Sequence, residues 1–375
     1  MNYFIKNIHI NKLFHLENID IPIENEKYPH LIITGKNGSG KTVLLNEIAN
    51  FLSKVEVLDG NVAITSYDKS KDLYIDFINK RQKEKIIEVF YQADRKVKMI
   101  EPDSPQIPNI NMVNGIRETV SDQFIKFLVD LKFQELLAIS NQDKEREQSI
   151  KAWFGDFEKL LKAIFQKEDL TLSFDQKNKY SFKISTGNQT FGFNEMSDGF
   201  KAAINIVADL ILKMQNDGKI SDSYRKEGIV LIDEIETHLH LELQKIIMPF
   251  LTKTFPNIQF IVTTHSPFVL SSMENAVAFD LEHKEPINDL TDYSYSSLAE
   301  GFFGVRPESS TVRLRLDELT ALLSKETLSV SEQMDAKLMM DELDKIPEPV
   351  LPSIVGEYLM LKLKNAEKIK TILAL

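Results

Sequence analysis

The chain has 375 residues, 43% of them hydrophobic, and a formal net charge of −11. This length predicts two or three domains, or one large domain with insertions. The sequence has no cysteine, which excludes disulfides, thiolate metal sites and cysteine nucleophiles and favours a cytoplasmic protein. No apolar run approaches the ~18 residues that a membrane span needs, and the acidic balance disfavours non-specific DNA binding, which depends on neutralising phosphates.

The first 33 residues carry strand patterns, in which apolar residues are separated by breaks that contain Asn, Glu and Pro. We expect an antiparallel lead-in that ends in the short apolar strand of residues 31–33. Residues 35–42 are GKNGSGKT, which fits the pattern G-x-x-x-x-G-K-[ST] at every fixed position. Residues 43–52 follow with the apolar spacing of a helix.

Strand, glycine turn and helix form the setting in which backbone N–H groups surround a polyphosphate. Lys41 can reach the β- and γ-phosphates of a nucleotide, and the Thr42 hydroxyl can ligate Mg²⁺. The residues predicted to contact the nucleotide are Gly35, Asn37, Gly38, Ser39, Gly40, Lys41 and Thr42. The sequence therefore predicts a P-loop that binds ATP together with Mg²⁺.

Several strand patterns follow the P-loop helix, and the clearest of them covers residues 86–91. Gln92 follows that strand directly. Two basic clusters, at residues 80–85 and 95–98, flank it, and we interpret both as solvated helix faces.

Helical patterns then begin near Glu118 and continue to residue 168. An apolar stripe covers residues 150–165, and a charged stretch at residues 141–148 connects it to the preceding helix. These patterns predict an inserted helical hairpin over residues 112–168.

Strand and helix patterns alternate from residue 199 to residue 270, which indicates a parallel sheet covered by helices. Residues 229–234 are four apolar residues followed by two acids, Asp233 and Glu234. A buried strand carries these acids to its carboxyl end, where ligands of such sheets bind. Asp233 can hold Mg²⁺ through water, and Glu234 can orient or deprotonate an attacking water.

Taken together, the motifs resemble those of ATP-binding-cassette (ABC) ATPases, specifically the SMC/RecF/OLD-like branch. Residues 35–42 match the Walker A loop, and Asp233 with Glu234 matches Walker B and the catalytic glutamate. Residues 196–201, MSDGFK, are similar to the signature motif, and residues 236–240 lie where the D-loop is expected. His265, at the end of a strand, is similar to the switch histidine.

The resemblance implies an α/β fold, namely an ABC-ATPase head with an N-terminal antiparallel β subdomain and a mostly parallel core sheet. An inserted helical hairpin lobe and a helical C-terminal tail complete it. We expect four parts. Residues 1–111 form the ATPase half with Walker A, and residues 112–168 form the inserted lobe. Residues 169–290 form the half with the signature, Walker B and the switch histidine, and residues 291–375 form the mainly helical end.

The resemblance also implies a second copy of the chain as partner. Ser197 and Gly199 would face the γ-phosphate on the other subunit's P-loop, so that ATP joins two heads and hydrolysis by Glu234 and His265 releases them. Gln92 is the candidate for the family's Mg²⁺-binding glutamine, with Gln82 as the weaker alternative. Phe200 departs from the usual Gln or Glu, and we therefore expect slow hydrolysis.

The insertion is too short for a long coiled coil, and residues 281–375 show no acidic nuclease cluster. We therefore expect an ATP-driven switch that controls a separately encoded effector, by analogy with anti-phage defence ATPases of the Septu, retron-associated and PARIS type. A RecF-like DNA-binding ATPase is the alternative, so nucleic acid stays open as a partner; a transporter subunit fits less well. The helical tail either docks a partner or packs on its own head, through residues such as Met334, Leu338, Leu343 and Tyr358.

Overall fold

The computed structural model describes residues 4–23, 29–53, 62–66, 86–95, 97–109, 115–175, 180–215, 224–287, 290, 295–303, 310–347 and 351–373. The basic cluster at residues 80–85, which includes Gln82, lies outside the described residues. The chain divides into two compact units, Met1–Tyr295 and Ser296–Leu375. The four-part division expected from the sequence stays a prediction.

The first unit combines strands and helices. Its strands are β1 (Ile5–Leu13), β2 (Leu16–Pro22), β3 (His30–Thr34), β4 (Val62–Ser66), β5 (Ile86–Tyr91), β6 (Thr171–Asp175), β7 (Ser181–Thr186), β8 (Gln189–Phe191), β9 (Glu227–Ile232), β10 (Ile258–Thr263), β11 (Ala276–Asp280) and β12 (Glu285–Ile287). Its α-helices are α1 (Lys41–Ser53), α2 (Phe124–Ser140), α3 (Lys144–Phe165), α4 (Asp198–Met214), α5 (Leu241–Thr254) and α6 (Pro267–Leu270), and α7 (Tyr295–Phe303) begins at its last residue.

The described strands form three sheets. One is antiparallel with the order β2-β1-β4, and another is antiparallel with the order β6-β7-β8. The central sheet has the order β12-β11-β3-β10-β9-β5, in which every pair except β11 with β12 is parallel. The predicted fold class, with an antiparallel N-terminal part and a mostly parallel core sheet, is confirmed.

The central strands are buried because their sequences are runs of apolar, mostly β-branched residues, as in parallel sheets covered on both faces. All residues of β3 and β10 are buried. The parallel register aligns Leu31 with Ile261 and Ile261 with Leu231. The three strands that carry the predicted motifs therefore end together at one edge of the sheet.

Helices α2 and α3 form the predicted hairpin, but the connection between them is shorter than expected. Asp143 caps α3 by accepting a hydrogen bond from the backbone N–H of Arg146 at 3.0 Å. The expected connection at residues 141–148 was wrong, because the first turns of α3 are polar and exposed and carry no apolar pattern. Inside the lobe the single tryptophan, Trp153, is buried and stacks against Phe157.

Asp209 is the buried charge that joins α4 to its surroundings. It accepts hydrogen bonds from the Tyr91 hydroxyl at 2.7 Å and from the backbone N–H of Val120 at 2.5 Å, and it pairs with Lys213 at 2.9 Å. A fully buried carboxylate is stable only with such partners. Asp209 therefore ties α4 to the end of β5 and to the start of the helical lobe.

The second unit is helical where it is described. It comprises the rest of α7 together with α8 (Ser310–Ser324), α9 (Val330–Leu343), α10 (Pro352–Lys364) and α11 (Ala366–Leu373). Leu343 and Tyr358 belong to its own core, whereas Met334 and Leu338 are exposed. Among the described helices of the chain, none is long and apolar enough to cross a membrane.

Replacing Asp209 by Ala takes the carboxylate acceptor from two buried donors, the Tyr91 hydroxyl and the Val120 N–H, and removes the charge partner of Lys213. We expect Asp209→Ala to lower the free energy of unfolding of the first unit by about 3 kcal/mol, the usual penalty for breaking a buried charge pair. Urea unfolding followed by Trp153 fluorescence measures this loss. The control is Asp198→Ala on the same helix, where the side chain is 79% exposed and removal should change the midpoint little; equal midpoints for the two variants would contradict the prediction.

Candidate nucleotide site

The P-loop holds its shape through glycines with left-handed backbone conformations. Gly35 has φ +136°, and a Cβ built on it would lie 2.8 Å from the Ser39 hydroxyl oxygen. Gly40 has φ +96°, and its Cβ would lie 3.0 Å from a methyl carbon of Leu16. A side chain at either position would be strained by the backbone and by its neighbours, so the loop requires these glycines.

Lys41 lies at the start of α1 with its side chain buried. Its ammonium group donates to the carbonyl oxygens of Gly35 at 2.7 Å and Lys36 at 3.0 Å. Burial lowers the pKa of Lys41, while the carboxylates of Glu234, Glu236 and others act in the opposite direction. The amine is thus held at the centre of the loop, close to several acids.

Asp233 and Glu234 follow β9 directly, as predicted, and one threonine joins them to the neighbouring strand. The Thr263 hydroxyl, at the end of β10, donates to Asp233 Oδ1 at 2.6 Å and accepts from the backbone N–H of Glu234 at 2.8 Å. Glu234 itself has φ +43°, a conformation that is strained for a non-glycine residue. The hydrogen bond from its N–H helps to hold that conformation.

Arg95 holds the turn after β9 through the carbonyl oxygens of that turn. Its buried guanidinium donates to the carbonyl oxygens of Asp233 at 2.6 Å, Glu234 at 3.0 Å and Ile235 at 3.2 Å, and also to that of Gln92 at 3.2 Å. The interpretation of residues 95–98 as a solvated helix face is therefore wrong. No sequence pattern reveals Arg95, because its partners are backbone atoms that any residue supplies.

Glu236 connects the turn to the residues that follow β10. Its Oε2 accepts from the Thr264 hydroxyl at 2.7 Å, and its Oε1 accepts from the backbone N–H of His265 at 2.5 Å. Burial raises the pKa of the Glu236 carboxyl, against the lowering effect of these two hydrogen bonds. Burial also lowers the pKa of His265, and the positive charge of Lys41 acts in the same direction. The neutral form of the His265 imidazole is therefore favoured.

A cavity of about 280 Å³ brings most of the predicted catalytic and loop residues together. Its lining includes Asn37, Gly38, Gly40, Lys41, Thr42, Glu234 and His265. Four more residues line the cavity that the sequence did not single out for the site: Leu13, Phe14, His15 and Val43. Phe14 is 77% exposed with φ +55°, and this exposure follows from the fold rather than from a sequence pattern.

The predicted signature residues lie outside this cavity, at the N-terminus of α4. Ser197 is the exposed N-cap residue, and its hydroxyl makes no capping hydrogen bond. Gly199 is buried, and a Cβ built on it would lie 2.8 Å from the carbonyl oxygen of His238. The signature segment therefore packs closely against the predicted D-loop of the same chain.

Phe200, which departs from the family pattern, has a defined partner. Its ring stacks on that of Phe165 at the end of α3, with ring centroids 4.1 Å apart and an angle of 10° between the planes. Phe191 packs against Phe165, with ring centroids 6.0 Å apart. The aromatic side chain thus joins the signature helix to the inserted lobe.

Gln92, the proposed magnesium ligand, follows β5 beside Asp233, since Tyr91 pairs with Ile232 and the N–H of Asp233 donates to the Tyr91 carbonyl at 2.8 Å. Its exposed side chain lines a separate, smaller cavity together with Arg95. Its role as a metal ligand stays a prediction. The exposed Thr42 hydroxyl and the Asp233 carboxylate are hard oxygen donors of the kind Mg²⁺ prefers, so the donor set fits this ion.

The chain is similar to known proteins in sequence and in fold. Residues 119–271 match the family model described as "AAA domain, putative AbiEii toxin, Type IV TA system". The chain is 26% identical to the Septu protein PtuA of Bacillus mycoides (strain KBAB4) over 91% of this chain and 50% of that protein. It is 29% identical to "Retron Vc95 probable ATPase" of Vibrio cholerae serotype O1 biovar El Tor over 52% of this chain and 37% of that protein. The chain thus spans half or less of the length of these relatives.

One similar solved structure is an SMC head bound to the C-terminal winged-helix domain of ScpA. Its TM-score is 0.41, and the identity is 13% over 76% of this chain and 96% of that chain. Another is cbiO1 of Clostridium perfringens, part of the ABC transporter complex cbiONQ, with a TM-score of 0.41 and 17% identity over 87% of this chain and all of that chain.

Residues 119–271 are thus similar to an AAA domain. The resemblance to ABC-type P-loop ATPases, including those of Septu and retron systems, is confirmed.

Arg95 offers a direct test of the turn's geometry. We expect Arg95→Lys to lower the free energy of unfolding by about 2 kcal/mol, because one ammonium cannot reproduce a planar fork bound to several buried carbonyls. Trp153 fluorescence in urea measures the effect. Lys98→Met, in the same basic cluster but exposed, is the matched control, and a similar small change in both variants would count against the prediction.

Proposed function

We propose that this chain binds ATP with Mg²⁺ and hydrolyses it. The observation that carries the proposal is the single cavity shared by Lys41, Thr42, Glu234 and His265. It combines a phosphate-binding loop, a hydroxyl that can ligate the metal, a general base and an imidazole that can contact the γ-phosphate. Asp233 is the further metal ligand in this proposal, and bound Mg²⁺ would neutralise charge that develops on the phosphates.

The position of each residue supports the role that we propose for it. In this proposal the backbone N–H groups of the loop surround the phosphates. Glu234 orients the attacking water and accepts its proton, while His265 contacts the γ-phosphate and thereby depends on its presence. Phe14, at the mouth of the cavity, offers a ring against which an adenine base can stack.

The proposed switch uses two copies of the chain. Ser197 is exposed at the N-terminus of α4, and a helix N-terminus with free N–H groups favours an anion. The γ-phosphate on the partner's P-loop supplies that anion, so ATP joins two heads and hydrolysis separates them. The Phe200 stack replaces the usual polar residue, and slow turnover of the closed dimer is the expected consequence.

We further propose that the dimer regulates a separately encoded effector in the cytoplasm, in anti-phage defence. The similarity to a Septu protein over most of this chain and to a retron ATPase supports this step. The exposed Met334 and Leu338 on α9 are available for contact with such a protein.

Lys41→Ala tests the nucleotide site. Removing the ammonium group should weaken ATP binding at least about 100-fold, since charged hydrogen bonds to phosphate account for several kcal/mol. Equilibrium dialysis with ATP and Mg²⁺ measures the affinity. Lys36→Ala, at an exposed loop lysine paired with Glu282, serves as the comparison. Undiminished affinity of Lys41→Ala would refute the P-loop assignment.

Glu234→Gln tests the switch. Loss of the general base should reduce hydrolysis about 100-fold or more while ATP binding persists, so the ATP-bound pair accumulates. Light scattering after gel filtration should show a doubled mass only with ATP and Mg²⁺. Adding Ser197→Arg to this variant should keep ATP binding and abolish the doubling; a doubling that survives the arginine would rule out the composite site.

A further inference from the structure

Glu236 makes two contacts that none of the predicted roles explains. It lies two residues after Glu234, in the turn that follows β9. One of its carboxylate oxygens accepts from the backbone N–H of His265 at 2.5 Å, and the other accepts from the Thr264 hydroxyl at 2.7 Å. A single side chain thus fixes both residues that continue β10, on a strand about 30 positions further along the chain.

Placing the Glu236 carboxylate here costs desolvation free energy. It is half-buried, and both this burial and the neighbouring charge of Glu234 raise the pKa of the carboxyl. Packing alone would be served by an apolar side chain, since partly buried charges are stabilising only when well paired. The contacts instead use both acceptor oxygens on groups next to the switch histidine.

The turn that carries Glu236 is itself fixed. Arg95 binds the carbonyl oxygens of the three residues that precede Glu236, and the backbone N–H of Ile235 donates to the Thr263 carbonyl at 3.1 Å. Because this turn is held at several points, Glu236 links the position of the His265 backbone to that of Glu234. Thr264 is also held by β3, since its N–H donates to the Ile33 carbonyl at 3.0 Å, and Glu236 supplies the part of the link that reaches the His265 amide.

We propose that Glu236 is a positioning residue for hydrolysis, which holds His265 in register with Glu234 at the γ-phosphate. This inference rests on the proposed function. The P-loop offers its own N–H groups and Lys41 to the nucleotide, whereas the two hydrogen bonds of Glu236 go to the segment after β10. Loss of the carboxylate therefore affects the rate of the chemical step and leaves nucleotide binding nearly intact.

The kinetic experiment compares Glu236→Ala, Glu236→Gln and His265→Ala in the full chain. Glu236→Ala should lower kcat about 10- to 100-fold, as misplacement of a reacting group does, with KM changed less than about threefold. Glu236→Gln should retain at least about a third of kcat, because its amide oxygen still accepts from His265 and its amide group can donate to Thr264. Glu242→Gln, an exposed acid in the first turn of α5, is the control.

The double variant separates positioning from general structure. If Glu236 acts through His265, Glu236→Ala combined with His265→Ala should be no slower than His265→Ala alone, within about twofold. A further loss equal to the full effect of Glu236→Ala would overturn the proposal, because it would mean that Glu236 acts elsewhere.

Hydrogen exchange gives a readout that needs no activity. Mass spectrometry of peptides that span residues 262–268 should show the His265 amide exchanging at least about tenfold faster in Glu236→Ala, with protection kept in Glu236→Gln. Unchanged protection in Glu236→Ala would overturn the proposal. If the wild-type chain hydrolyses no ATP, the proposed function fails, and this exchange result alone decides whether Glu236 holds His265.

Discussion

The candidate site depends on the hydrogen bonds that the Thr263 hydroxyl makes between β10 and the turn after β9. This hydroxyl is fully buried, so the bonds form where water cannot compete for them. Through them Asp233 keeps its orientation, and Glu234 keeps a backbone conformation that it would otherwise avoid. The P-loop at the end of β3 is hydrogen-bonded to the same edge, since the N–H of Thr264 donates to the carbonyl of Ile33 at 3.0 Å. Three separate stretches of sequence thereby become one rigid surface.

The sequence predicted the fold class and the central site because both have local signals. Apolar β-branched runs identify the parallel strands, and a glycine loop followed by Lys41 and Thr42 has a fixed spacing. The remaining features have no such signal. The start of α3 was missed because its first turns are polar and bury no apolar side chain, so they show no apolar periodicity. Arg95 and Glu236 were missed because they bind backbone groups that are distant in the sequence, whose positions follow only from the folded sheet.

The buried carboxylates illustrate how the same side chain serves different purposes. Asp209 joins α4 to β5 and is balanced by Lys213, and its burial alone would not reveal a function. Glu234 lines an open cavity, and both it and Asp233 lie near Lys41. A buried acid with complete protein partners is structural, whereas acids that converge on open space have capacity left for a ligand.

The stack of Phe200 on Phe165 makes two distant sequence positions dependent on each other. A polar side chain at position 200 would leave the face of Phe165 open to water, and a small side chain at position 165 would do the same to Phe200. Neither replacement alone preserves the contact between the signature helix and the lobe, so natural variants should exchange the two rings together.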